Sequence, residues 1–279
     1  MLLLSFVVLF ITTNAVSQSS IPRYWNAIPF MGGGFKQQNT NNNFVYGGVY
    51  LDYPFVKSQN WNFGVWGNAN RSWFNENLTQ YKSTQTETSF GFNTGYYSGF
   101  GLTSSVYASI SAGIKFLENE GIVNGTNFTS DGHQNDQLVC IGLNYNQYKR
   151  LGYFRTQIIV NAQKVLNSQK TLSENQGMRE AVESWNNGLF EAIIKQSLSD
   201  IPFMQNTSIE PKIGFGYHRY FDGAYDAYST IIELAFKKPA SDDYLTLSAE
   251  CKNIPGQKAN IFLFGLTFNP PRLFKKNNK

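Results

Sequence analysis

Along most of the chain, apolar and polar residues alternate with a period of two. The stretch GLTSSVYASISAGIKF, residues 101–116, is the clearest case. Leu102, Ser104, Val106, Ala108, Ile110, Ala112, Ile114 and Phe116 share one side, and Thr103, Ser105, Tyr107, Ser109, Ser111, Gly113 and Lys115 share the other. Successive strand side chains point to opposite faces, so this pattern predicts a strand between two unlike environments. It is long for a soluble sheet, where about five or six residues is usual. Similar segments recur near 27–37, 43–53, 61–73, 84–98, 101–117, 136–148, 152–165, 188–199, 209–221, 226–237, 243–253 and 259–268, twelve in all. A tilted strand needs ~9–11 residues to cross bilayer hydrocarbon. The first segment, AIPFMGGGFKQ, is the poorest of them, with three glycines and no clear alternation.

The gaps sort by parity. The three longest polar stretches, 74–83, 118–135 and 166–187, follow odd-numbered segments, whereas 99–100 and 150–152 are tight turns after even-numbered ones. A transmembrane barrel with both termini periplasmic puts its long loops outside in this way. The medium gap at 200–208 falls on the wrong side of the rule. Within 170–187, Ser173 with Gln176 reads as a capping box ahead of a short helix, MREAVESW.

The two faces differ in charge. Val45, Val49, Phe63, Phe90, Phe92, Ile141, Ile158, Phe215, Ile232, Leu247 and Phe264 belong to the apolar face, whose central part carries no ion. A Lys or Arg there would cost ~2–4 kcal/mol against lipid at the midplane. Three cations lie near the outer ends of this face, Arg71, Lys164 and Arg219, placed to snorkel to lipid phosphates. The opposite face carries Asp52, Glu87, Glu191, Glu210, Glu233 and Glu250 against Lys115, Arg155, Lys195, Lys212, Lys237 and Lys252, with His218 beside them. These thirteen residues are the expected lumen lining. Six acids against six bases predict weak ion selectivity or an interior cross-linked by salt bridges.

Composition agrees with a chain solvated partly by lipid: 16% aromatic and only 15% charged, against ~25% charged in soluble domains. A net charge of +4 and the lack of basic–aromatic interleaving exclude a nucleic-acid partner. Residues 1–17 read as a secretory signal peptide, with an apolar run from Leu2 to Ile11, small Ala15 and Ser17, and cleavage before Gln18. The barrel then occupies 18–268, and 269–279 is a polar, basic tail.

Chemistry is sparse. Cys140 and Cys251 sit in strand-like segments with no ligand spacing, which leaves a disulfide open and makes a metal the weaker reading. SDGHQND at 130–136 groups Asp131, His133 and Asp136, and reads as a solvated turn. No nucleophile motif lies beside His218, so no catalytic, cofactor-binding or metal-binding residue is assigned.

The last segment, ANIFLFGLTF at 259–268, with Phe262, Phe264, Leu266 and Phe268 on one face, resembles the closing strand of Gram-negative outer-membrane β-barrels. The resemblance extends to the general plan from the leader onward. It implies an all-β, antiparallel transmembrane barrel of about twelve strands in the bacterial outer membrane. It also implies insertion by the barrel-assembly machinery, contact with lipopolysaccharide, and a passive pore or surface-exposed binding barrel for small solutes or polysaccharide. The NPPRLFKKNNK tail departs from the usual ending. Two alternatives stand beside this reading. One is a lipid-modifying hydrolase of the same fold using His218, and the other is a soluble secreted β-sandwich or lectin-like protein.

Overall fold

The computed structural model describes residues 26–268, apart from 39, 58–59, 77–80, 101–103, 124–127, 148–154, 173–187, 199, 205–206, 222–224, 238–242 and 256–258. The leader at 1–17, the tail at 269–279 and the MREAVESW helix lie outside the described residues. The strands are β1 (Asn26–Gln38), β2 (Thr40–Lys57), β3 (Trp61–Glu76), β4 (Tyr81–Phe100), β5 (Ser104–Val123), β6 (Phe128–Gln147), β7 (Arg155–Leu172), β8 (Gly188–Ser197), β9 (Ile201–Met204), β10 (Thr207–Tyr220), β11 (Tyr225–Lys237), β12 (Asp243–Ile254) and β13 (Ala259–Phe268).

Each strand pairs antiparallel with its neighbours, and β13 closes on β1 over Phe30↔Thr267 to Gln37↔Asn260. The extra strand does not add a lane. β8 pairs with Lys212–Tyr220 of β10, and β9 pairs with Thr207–Ile209 of the same strand, so β9 prolongs β8 after a break. The wall is therefore a closed barrel of twelve lanes. Within the gap at 200–208, Ile201–Met204 form this continuation and Thr207 already begins β10.

The apolar face points outward. Phe92, Ile141, Phe215, Ile232 and Phe264 are exposed, Phe92 at 69%. No second sheet covers them, which removes the β-sandwich alternative. Aromatic rings gather at two levels, Trp61 against Tyr96 at 4.9 Å below and Phe190, Tyr217 and Tyr228 above. On β3, Trp61 and Trp73 are both exposed. They stand about 40 Å apart at ~3.3 Å per residue, or about 30 Å of bilayer normal at ~40° tilt. That matches the spacing of the two aromatic girdles of an outer-membrane barrel.

Two of the expected outer loops are corrected. β3 and β4 absorb most of 74–83, and β5 and β6 absorb most of 118–135, as 20-residue strands in the case of β4, β5 and β6. β7 likewise runs to Leu172. Among the described residues the strands are unequal, with 16–20 residues in each from β2 to β7 and 14 or fewer in each from β8 to β13.

The glycines of β1 find their reason in the interior. Gly32 and Gly34 face inward, and a Cβ on either would overlap the Tyr46 hydroxyl or the Phe44 ring of the neighbouring strand as well as a β13 carbonyl. Tyr46 and Phe44 thus lie flat across β1, and only glycine leaves the room.

Candidate functional site

The alternation that turns apolar residues outward turns the charges inward. Glu87 (1% exposed), Asp136 (0%), His218 (1%) and Lys252 (2%) are as buried as any core residue, and Lys115, Glu191, Lys195, Glu210, Glu233 and Glu250 are buried with them. Ions survive such burial when paired and hydrogen-bonded. Three groups do this here.

On the β3–β6 side, Lys115 Nζ lies 3.3 Å from Asp136 Oδ2. Gln134 Nε2 donates to both Asp136 oxygens at 2.7 Å. Asn68 Nδ2 donates to Glu87 Oε1 at 3.2 Å, and Asn93 Nδ2 donates to Asp52 Oδ1 at 3.0 Å. Asp136 had been read as part of a loop motif. Its place inside brings the described lining to seven acids against six bases and His218.

The second group joins β8, β10, β11 and β12. His218 Nδ1 is 3.5 Å from Glu191 Oε2, and His218 Nε2 is 3.6 Å from Glu250 Oε1. The Ser229 hydroxyl sits 2.9 Å from the same Nε2. Lys252 Nζ is 3.6 Å from Glu250 Oε1 and donates to the Tyr220 hydroxyl at 3.4 Å. Asn161 of β7 donates to Glu191 at 2.9 Å. Ser229 was invisible beside His218 in the sequence. The hairpin register, with His218 opposite Ala227 and Gly216 opposite Ser229, brings it there.

The third group is nearer the chain-terminal rim. Glu210 is held by Arg155 and Lys237, with Lys212 at 4.0 Å, and Arg155 also faces Asp200 at 3.8 Å. Lys195 of β8 and Glu233 of β11 form an ion pair past the intervening β10.

The interior is not uniformly polar, contrary to the sequence reading. Ile28, Phe30, Phe44, Tyr46, Phe74, Leu138, Leu189, Tyr220, Ala227, Ile254, Ile261 and Leu263 belong to one buried apolar cluster drawn from nine strands. Its members come from lanes on opposite sides of the wall, β2 and β8 among them. Beside it a cavity of about 120 Å³ opens between β2 and β8, lined among others by Tyr50, Trp66, Glu87, Asn93, Tyr107 and Lys115.

Outside, Arg71 and Lys164 are exposed on the lipid-facing side, and the Arg71 guanidinium stands 5.7 Å over the Trp73 ring. Arg219 is engaged differently. It donates to Asp226 at 2.9 Å, and Tyr217 donates to the same carboxylate oxygen at 2.9 Å. These cations mark one level of the wall rather than its end, because β3 and β7 continue beyond Arg71 and Lys164. Above that level the outward residues Lys82, Glu118, Glu120, His133 and Asn135 are exposed and polar. Cys140 faces the cavity and Cys251 faces outward, and both are free. Among the described residues no group of three metal-ligating side chains occurs.

No protein-family model matches the chain, and no curated protein matches it. Solved structures do. The transport unit of the autotransporter AIDA-I from Escherichia coli superposes with a TM-score of 0.55 at 10% identity, covering 96% of this chain and 97% of that one. The beta domain of the Bordetella autotransporter Brka gives 0.54 at 11%, covering 88% and 98%. The translocator domain of the autotransporter NalP from Neisseria meningitidis gives 0.51 at 10%, covering 94% and 92%. Identities this low speak to the fold, and the exposed apolar belt between two aromatic girdles speaks to the solvent. The chain has the closed β-barrel fold of these translocator domains, with an outer surface suited to lipid. As such a barrel it presents lipid with the belt and keeps its ionisable chemistry inside, so the interior is the site whose function has to be read.

Proposed function

We propose that this barrel is an outer-membrane channel for small polar solutes, closed at rest by its own inward side chains and opened when they rearrange. The observation that carries the reading is the buried apolar cluster, drawn from lanes on opposite sides of the wall, among buried ions that pair with one another. Twelve strands lie between the eight whose interior side chains fill and the sixteen that leave an aqueous channel. Apolar constrictions close a pore by dewetting. The near balance of acids and bases predicts little preference between cations and anions once the path is wet. Export through residues 1–17, insertion by the barrel-assembly machinery at β13, and contact of Arg71 and Lys164 with lipopolysaccharide phosphates complete the proposal.

Planar-bilayer recording tests it. The native protein is expected to be mostly silent with brief openings. Truncating the cluster with Phe44→Ala and Phe74→Ala should raise the open fraction at least tenfold with weak ion selectivity. Silence in both forms would leave a surface-exposed binding barrel instead.

The Ser229–His218 contact supports a second reading, a lipid hydrolase. A base must have one nitrogen free for the hydroxyl proton. Here His218 and Ser229 are both buried in the wall with no room for an ester beside the hydroxyl, which favours a cross-link over a nucleophile pair. Ester hydrolysis lost in Ser229→Ala, with the barrel intact, would reverse that preference.

A further inference from the structure

We infer that the cavity between β2 and β8 is a binding site for one uncharged, hexose-sized sugar. The inference deepens the channel reading by naming what the interior holds, and its test is binding rather than conduction.

The polar atoms left over in the wall argue for hydroxyl groups. Trp66 Nε1, Glu87 Oε2 and Asn93 Oδ1 are buried without a hydrogen-bond partner, and all three residues line the cavity. Trp66 is 8% exposed and Glu87 is 1% exposed. One of these atoms is an obligate donor and two are acceptors, and leaving each unsatisfied costs ~1–3 kcal/mol. A ligand carrying only donors or only acceptors would answer part of the set. A sugar hydroxyl both donates and accepts, so a ring bearing several can answer all of it.

The apolar part of the lining points the same way. The Trp66, Tyr50 and Tyr107 side chains line the same space as Asn93, Asn161 and Gln163. Aromatic surface beside convergent amide and carboxylate groups suits a molecule with an apolar C–H face and a polar edge. The volume agrees. The cavity is open on one side, so its volume of about 120 Å³ seats about four water-sized groups at ~30 Å³ each, one edge of a hexose ring, while the rest of the ring lies toward the opening.

Charge restricts the class further. Lys115 is committed to Asp136 at 3.3 Å, and Asp52 accepts from Asn93 at 3.0 Å. Lys115 lines the cavity as well, so one ammonium stands against the Asp136 and Glu87 carboxyl groups. A sugar acid would add a third carboxylate to a single cation, and like charges in a low-dielectric site repel strongly. Neutral hexoses are accepted and uronic acids are refused.

Isothermal titration of the purified full-length protein, in a detergent without a sugar head group, provides the test. Glucose, galactose and mannose serve as probes, and glucuronate serves as the charged comparator. At least one neutral hexose is expected to bind saturably, and glucuronate at least tenfold more weakly. Trp66→Phe keeps the ring and removes the N–H, and Glu87→Gln keeps the shape and removes the charge. Each should weaken the hexose by about tenfold, the worth of one buried hydrogen bond, with Glu87→Gln also relieving the refusal of glucuronate. Circular dichroism confirms that the variants keep their β content, and Thr86→Ser, on the outward face, is the control. The inference is overturned if no neutral hexose saturates, if neither variant weakens binding, or if glucuronate binds equally well. Conduction without hexose binding removes this inference and leaves the channel standing. Hexose binding without conduction keeps this inference and removes the channel.

Discussion

His218 on β10 reaches past β11 to bring its Nε2 within 3.6 Å of Glu250 on β12, while its Nδ1 meets Glu191 on β8 at 3.5 Å. One imidazole thereby ties three lanes of the wall. Removing it takes one partner from Glu191, which keeps Asn161, and one from Glu250, which keeps Lys252, and a buried hydrogen bond to a charged group contributes about 1.5–3 kcal/mol. His218→Leu is expected to lower the guanidinium midpoint of the detergent-solubilised barrel by an amount in that range. A native-like midpoint for this variant would show that the ring does not bear this role.

Gly32 and Gly47 sit on the same barrel seam and should respond oppositely to a side chain. At Gly32 an added Cβ overlaps Tyr46 and the Phe264 carbonyl, whereas at Gly47 the nearest atom is the Phe30 carbonyl oxygen at 3.6 Å. Overpacking costs about 1–3 kcal/mol. Gly32→Val should reduce refolding yield and midpoint, and Gly47→Ala should leave both unchanged. Equal loss at both would refute the notch.

Phe92 projects from the middle of β4 with 69% of its surface exposed. Phe92→Arg places a charge in hydrocarbon at a cost of ~2–4 kcal/mol. Insertion into liposomes should fall sharply, whereas Thr86→Arg, higher on the same face, should insert normally. Normal insertion of Phe92→Arg would mean that lipid does not touch this face.

Arg71 and Lys164 are exposed on that face, whereas Arg219 is occupied by Asp226. Charge-assisted contacts to phosphate should therefore come from the first two. Arg71→Ala with Lys164→Ala should lower the lipopolysaccharide that co-purifies, and Arg219→Ala should not. The reverse order would reassign the contact.

Cys140 lines the cavity and Cys251 looks outward on β12. The barrel wall separates the two thiols. Non-reducing and reducing gels of protein treated with a mild oxidant should show the same monomer mobility, and a faster non-reduced band would contradict the placement.

The outer face was readable in the sequence because lipid on one side and charge on the other give every crossing a strong contrast, as in Phe90, Phe92 and Ile141 against Glu87 and Lys115. Residues 74–83 and 118–135 lost that contrast. Once both faces are polar, as with Lys82 outside and Gln85 inside, period two carries no signal and a strand looks like a loop. β1 was obscure for the converse reason, since Ile28 and Phe30 inside and Met31 and Phe35 outside are apolar on both faces. The buried apolar cluster was hidden with it. Of the interior residues, ions such as Glu87 and Lys115 stand on the face that alternation gives them, whereas Asp136 had been read as part of a turn. Their partners do not follow from alternation, because pairings such as Lys195 with Glu233 depend on which lanes stand side by side, and Ser229 became visible only through hairpin register.

The described strands are unequal, with 16–20 residues in each from β2 to β7 and 14 or fewer in each from β8 to β13. On the channel reading, a solute passing beside β3 to β7 travels along a longer ladder of paired backbone than one passing beside β8 to β13, so the two flanks of the same wall differ in stiffness.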